Sequence, residues 1–446
     1  MAEISVQAEL QALQEAERRA TGKGWISYSF SVPELDPLAV LETLNEPAPR
    51  AFFENPSRHR AHAAGRPVAT WQGTGTQRFL EANLWLRQLK KDLHCIGPEP
   101  RIIATFPFYP EKTQTGLTSQ LFLPAWQVVT ENGQTQVTLA AAVRPGIAES
   151  LAQQAEAFRH FNYKAETPAT RTQIPTVLTE VGGNWFPSAV TRATELIREG
   201  AFEKIVLARA FDWRRPEPFN AYGSLHRLRR ANPPCHTFLV DEPEGALIGS
   251  TPETLLSLFD SAIRTESVAG TTRRGESASE DASLAEALLS SEKDLREHSA
   301  VTASILRRLR MVGVLAATSQ SPELLRLGNV MHLRTPIEGT MPADRTFLEI
   351  AGELHPTPAV GGKPRDLALP FIPGFEPHQR GLYTGAVGWV GLNGNTGKLF
   401  VALRCARLHN HEARAFAGAG IVAGSNPQAE AAETEMKLRT ILEALV

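Results

Sequence analysis

The sequence predicts an α+β fold in which large antiparallel β-sheets are flanked by helices. Three observations predict it. Strand-like runs such as KIVLARAF, CHTFLV, GALIGS, TLLSLF, GKLFVALRCARL and ARAFAGAGIV mostly follow one another through short turns, which favours antiparallel pairing. Helical stretches with one apolar face alternate with them; in SEKDLREHSAVTASILRRLR, Val301, Ile305, Leu306 and Leu309 form a single stripe. Hydrophobic residues make up 42% and charged residues 21% of 446 positions, the composition of a compact chain large enough to bury a deep site.

The opening stretch MAEISVQAELQALQEAERRATG reads as a charged amphipathic helix that stops near Gly22. It lacks the basic and apolar regions of a signal peptide, and no apolar run approaches bilayer-spanning length, so a cytoplasmic protein with no membrane partner is expected. Residues up to about 165 mix β-rich pieces, RIIATFPFYP and GQTQVTLAAAV, with the helical RFLEANLWLRQLKKDL, whose Leu80, Leu84, Leu86 and Leu89 suggest an apolar face. The segment YKAETPATRTQIPTVLTEVGGNW is polar, Thr-rich and carries two prolines, which suits a surface connection. It divides an N-terminal α+β part, 1–165, from a second region, 176–446.

Composition excludes several function classes. The net charge is -2 with Lys and Arg scattered, so nucleic acid is not an expected partner. Cys95, Cys235 and Cys405 lie far apart without zinc spacing. No Walker loop, G-x-S-x-G elbow or H-E-x-x-H is present. AGAGIVAGSNP holds Gly418, Gly420 and Gly424, but only one helix follows, without the second strand and acidic residue of a dinucleotide site. Those glycines suit close approach of backbone to a small anion, or close packing.

Polar residues at the ends of apolar strands are the candidates for chemistry, because an unpaired charge there is costly. Lys204 opens KIVLARAF; in a regular strand it shares a face with Val206 and Ala208, while Ile205, Leu207 and Arg209 face the other way. Read alone, it is a strand-end lysine with its ammonium in water. Glu253 sits in the turn of GALIGSTPETLL, where a solvated turn carboxylate is the plain alternative. Asp294 and Glu297 share one helix face, as do Glu430, Glu433 and Lys437. One carboxylate from each helix would make an open magnesium site, and ordinary solvated i, i+4 pairs account for the same spacing.

Taken in order, FEKIVLAR, GSTPETLL, VAGTTRRG, SEKDLREH, VMHLRTPIEGT, LHPTPAVGG, RGLYTGAVGW, ALRCARL, FAGAGIV and AETEMKL resemble the successive signatures of the chorismate-binding enzyme family. The likeness runs over residues 200 to 440, and AFFENPSRHRAHAAG and RIIATFPF resemble that family's looser first half. It implies the large antiparallel fold of anthranilate synthase component I and makes 176–446 the chorismate-binding catalytic region. At the position of Lys204 the family carries lysine in members that add water and commonly glutamine in those that add ammonia, so the resemblance implies a water user whose base is Lys204. A lysine acts as base at neutral pH only if its pKa falls from about 10.4 towards 7 to 8. By the same resemblance Glu253 is the general acid at the departing 4-hydroxyl, and Glu297 and Glu433 hold Mg2+ with Asp294 and Glu430 in outer contact. Arg404 and Lys437 would bind carboxylate, Gly418 and Gly420 would offer backbone N–H groups, and His332, Gly270 and Thr271 would line the ring site. His332 also reads as a core histidine satisfied by backbone.

Isochorismate synthases carry alanine where Ala359 stands, whereas members that eliminate pyruvate usually carry threonine. Tyr383 stands where some siderophore-pathway members carry phenylalanine, which points towards menaquinone. The expectation is an isochorismate synthase, a Mg2+-dependent isomerase acting on chorismate, monomeric, with no glutamine amidotransferase subunit and no redox or nucleotide cofactor. The alternatives are a salicylate synthase and a non-catalytic chorismate-binding subunit.

Overall fold

A computed structural model of the chain describes residues 2–20, 22–163, 178–319 and 321–446, with side chains from residue 7 onward. Among these, all strands join one hydrogen-bonded network, antiparallel throughout except where Trp25–Val32 meets Leu93–Ile96. One arm runs from Trp25–Val32 through Gln134–Ala142, Ser119–Glu131, Arg60–Gly73, Arg50–Asn55 and His236–Glu242. It continues through Gly245–Thr251, Cys405–His409 and Glu412–Ile421 to Lys204–Arg214. A second arm branches from Ser119–Glu131 through Arg101–Phe106, Ala386–Gly391, Gly397–Val401, Thr254–Phe259 and Ala262–Arg273 to Val330–Thr340. The predicted antiparallel α+β class is the one observed.

Both arms contribute to a core that holds Phe53, Phe238 and Leu247 from the first and Val387, Trp389 and Phe400 from the second. Lys204–Arg214 is apolar on both faces because both are covered, the usual composition of a central strand. Ile205 and Leu207 belong to the same buried cluster as Val301, Ile305 and Leu309 of the helix Glu292–Met311, while Ala208 and Ala210 enter the core between the arms. Lys204 and Arg209 do point apart: Arg209 pairs with Glu180 and bonds the Thr434 hydroxyl.

Two helices present the acidic residues. Glu292–Met311 starts at Ser291, whose hydroxyl accepts from the Asp294 N–H, with Glu292 and Asp294 at the positive end of the helix dipole. Pro427–Leu445 starts at Asn426, whose side chain accepts from the Gln428 and Ala429 N–H groups, and its Leu438, Ile441, Leu442 and Leu445 lie in the core. The first helix, Ala2–Arg19, ends just before Gly22 as expected.

One helix face differs from expectation. In Arg78–Asp92 the buried apolar residues are Phe79, Ala82, Leu86 and Leu89, whereas Leu80 and Leu84 are 43% and 55% exposed. Phe79 stacks on Phe106, so the aromatic ring sets the inward face and turns Leu80 and Leu84 out. The proposed connection lies largely outside the described residues, since 164–177 are not among them. Strands from before and after that stretch pair directly, as Phe52 with Leu239 and Ile103 with Trp389. Among the described residues no helix is long and apolar enough to cross a membrane.

Candidate active site

Every site residue read from the sequence lines one small cavity of about 130 Å3. Its floor is the paired strands Lys204–Arg214 and Glu412–Ile421, with the two acidic helices along one side and the strands Ala262–Arg273 and Val330–Thr340 along another.

Lys204 is 7% exposed, and its Nζ donates to Glu297 Oε1 at 2.6 Å. The reading of a solvated strand-end lysine is therefore set aside. The stem passes over Gly420, where a Cβ would lie 2.6 Å from Lys204 Cε, so a larger residue would push the end of the lysine aside. The strand beneath is held from behind by a buried ion pair that the sequence reading did not single out. Arg380 donates to both Glu376 oxygens and to the Val206 carbonyl, and Glu376 accepts from the Ala208 N–H. Spacing at i, i+4 in EPHQR was the available signal, and it is the same signal that countless surface pairs give.

Glu253 is 3% exposed rather than a solvated turn carboxylate. Its backbone is fixed on both sides, the N–H bonding the Thr251 hydroxyl and the carbonyl accepting from the Val401 N–H. Burial, reinforced by the nearby Glu266 and opposed by the Thr357 hydroxyl and Lys204, pushes its carboxyl up to about 8. The group is thus mostly protonated at neutral pH, the state an acid needs.

His332, Thr271 and Arg404 form a linked set. A β-bulge at Gly270, whose φ is +77°, brings Thr271 opposite His332. Arg404 Nη2 lies 2.9 Å from His332 Nε2; a guanidinium only donates, so Nε2 accepts and the ring proton sits on Nδ1, towards the Gly270 carbonyl at 3.2 Å and the Thr271 hydroxyl at 3.0 Å. Burial and the Arg404 cation hold the histidine neutral, well below its usual range. Both readings of His332 therefore hold: it is satisfied by backbone and it lines the cavity. Arg404 Nη1 is buried with no hydrogen-bond partner among the described residues.

The glycine-rich strand is used as backbone. The N–H groups of Val206 and Ala208 bond Gly361 and Glu376, away from the partner strand. Opposite them, Gly420 and Gly418 therefore form non-hydrogen-bonded pairs and turn their own peptide groups outwards, where the Gly418 carbonyl accepts from Lys437. Tyr383 stacks on Phe416 at 4.9 Å, and its hydroxyl comes within 3.1 Å of where a Gly418 Cβ would lie. Burial raises its pKa, so it stays a donor. Ala359 completes the wall.

Asp294, Glu297, Glu430 and Glu433 put four carboxylates on the cavity from two helices. Glu433 is paired with Lys437 at 2.6 Å; burial alone would raise its carboxyl, but Lys437, with Arg404 and Lys204 behind it, brings it below its usual range. Glu430 is raised by burial and by Glu433. Among the described residues no three His, Cys, Asp or Glu side chains converge to enclose an ion. An oxygen-only donor set that reaches an ion through few carboxylates fits Mg2+, which keeps several of its waters.

The chain matches a family model described as chorismate binding enzyme over residues 11–446. It is 32% identical to the salicylate biosynthesis isochorismate synthase of Pseudomonas aeruginosa over 94% of this chain and 90% of that one. It is 37% identical to isochorismate synthase DhbC of Bacillus subtilis over 58% of this chain and 67% of that one. The solved structure of MenF, the menaquinone-specific isochorismate synthase from Escherichia coli, superposes with a TM-score of 0.79 at 28% identity, covering 97% of this chain and 99% of that one. With its fold, its cavity and a match running nearly end to end, the chain belongs to the chorismate-binding enzyme family.

Proposed function

We propose that this protein is an isochorismate synthase, a Mg2+-dependent isomerase that adds water at ring carbon 2 of chorismate and expels the 4-hydroxyl. The observation that carries the reading is that a buried lysine and a buried carboxyl face the same small cavity. Lys204, once its amine is free of Glu297, takes a proton from the attacking water. The ring double bonds shift, and Glu253 protonates the leaving hydroxyl as water, so one water enters, one leaves and the product is an isomer. Arg404 Nη1, Lys437 and the outward Gly418 and Gly420 peptides would bind and orient the two carboxylates.

Glu297 and Glu433 would hold Mg2+, with Asp294 and Glu430 through water; the ion would neutralise and fix the ring carboxylate. Lys204 favours water over ammonia as nucleophile, and Ala359, without the threonine hydroxyl of the pyruvate-eliminating members, favours release of isochorismate over salicylate. Tyr383 favours a menaquinone role over a siderophore one. The enzyme is proposed to act in the cytoplasm as a monomer.

Chromatography of chorismate incubated with the protein and Mg2+ tests this reading. Isochorismate should appear, and chelation of the ion should stop it. Salicylate with pyruvate would mean a salicylate synthase, and unchanged chorismate a silent binding subunit.

A further inference from the structure

The carboxyl of Glu253 has one hydrogen-bond partner among the described residues, and that partner does not line the cavity. Thr357 lies behind it in LHPTPAVGG, 3% exposed, with its hydroxyl 3.2 Å from Glu253 Oε1. The threonine is held by its own turn, since its carbonyl accepts from the Val360 and Gly361 N–H groups. On the far side, Val401 N–H and the Thr251 hydroxyl hold the Glu253 backbone. Acid and threonine are thus two fixed points, each secured by its own chain segment, joined by one bond.

We propose that Thr357 is a positioning residue that selects which oxygen of Glu253 carries the proton and stabilises the carboxylate left after transfer. The inference rests on the reading of Glu253 as the general acid. A hydroxyl that donates to Oε1 leaves the acid proton on Oε2, the oxygen free to meet substrate. When the proton departs to the leaving hydroxyl, the C–O bond of the ring breaks, water forms, and the new charge on Glu253 meets a donor already in place. A hydrogen bond to a charged group is stronger than one to a neutral group, so the bond tightens as the reaction proceeds. Burial raises the acid and Thr357 opposes it, so the threonine keeps a desolvated carboxyl acidic enough to give its proton away.

Thr357→Val keeps the shape and removes the donor; Thr357→Ser keeps the donor. Two readouts are needed, the rate of isochorismate formation and the midpoint at which the carboxylic-acid infrared band of Glu253 disappears with rising pH. That band is identified by its loss in Glu253→Gln. Thr357→Val is expected to raise the midpoint by about one pH unit and lower kcat about tenfold with KM little changed, and Thr357→Ser to restore both. A rate loss with an unmoved midpoint would make Thr357 merely structural and overturn the proposal. Full activity in Glu253→Gln would instead overturn the acid assignment itself, so the two failures are separable.

Discussion

Two ion pairs meet the strand Lys204–Arg214, one through its backbone and one through Lys204 itself, and they differ in every respect that matters. Arg380 and Glu376 have side chains 0% and 2% exposed, are joined through several hydrogen bonds, and spend their remaining donors on the Val206 and Val360 carbonyls. Lys204 and Glu297 are joined by a single bond, with side chains 9% and 21% exposed, and face a cavity. The first pair has no unused donor and ties the strand to the Val360 turn and to Thr384. The second is satisfied for the moment, and either partner can be taken by something else. Rigid support beneath an exchangeable pair is what a reacting lysine needs, since its position must be fixed while its proton is not.

The sharpest way to break this contrast is Lys204→Ala. It is expected to lower isochorismate formation by roughly 10^2 to 10^4-fold while the thermal melt stays near that of the parent, as measured by product assay and calorimetry. Normal turnover would return Lys204 to the role of a structural cation. Arg380→Ala should do the opposite, destabilising the fold by about 3–5 kcal/mol in urea titration, because a buried carboxylate and two carbonyls lose their donor. An unchanged denaturation midpoint would show that the rear pair is dispensable.

Gly420→Ala sharpens the comparison from the cavity side. Its methyl would meet Lys204 Cε at 2.6 Å, so the amine must shift, and kcat is expected to fall roughly 10 to 100-fold at near-parental stability. The smallest effect belongs to a third kind of pair, Arg264 with Glu338, whose side chains are 61% and 64% exposed. Arg264→Ala should change stability by less than about 1 kcal/mol, as expected for a screened surface pair. A larger loss would mean that exposure alone does not rank these pairs.

Much of this was legible before any coordinates. Short turns between apolar runs announced antiparallel sheets, and the motif series brought Lys204, Glu253, His332, Arg404 and the acidic helices into one cavity although they are far apart in the chain. What stayed hidden depended on neighbours that sequence does not name. Without the family resemblance Glu253 reads as a turn carboxylate, because nothing local shows that Thr357 and the Val401 strand cover it. Nothing in the sequence singles out Glu376 and Arg380, because their i, i+4 spacing is common and burial is a property of what packs over them. In Arg78–Asp92 four leucines outvoted one phenylalanine on paper, yet Phe79 against Phe106 decided the face. The tautomer of His332 could be assigned only once Arg404 was seen to donate into it.

The pairing of Lys204–Arg214 with Glu412–Ile421 has a consequence for how the molecule is made. During synthesis the lysine leaves the ribosome long before the strand that pairs with its own or the helix that carries Glu433 and Lys437. Closure of the cavity is therefore a late, long-range event, of the kind that makes folding slow and leaves unpaired strand edges exposed meanwhile. A nascent chain that stops between these two strands leaves the edge of Lys204–Arg214 without its partner and the cavity without its floor.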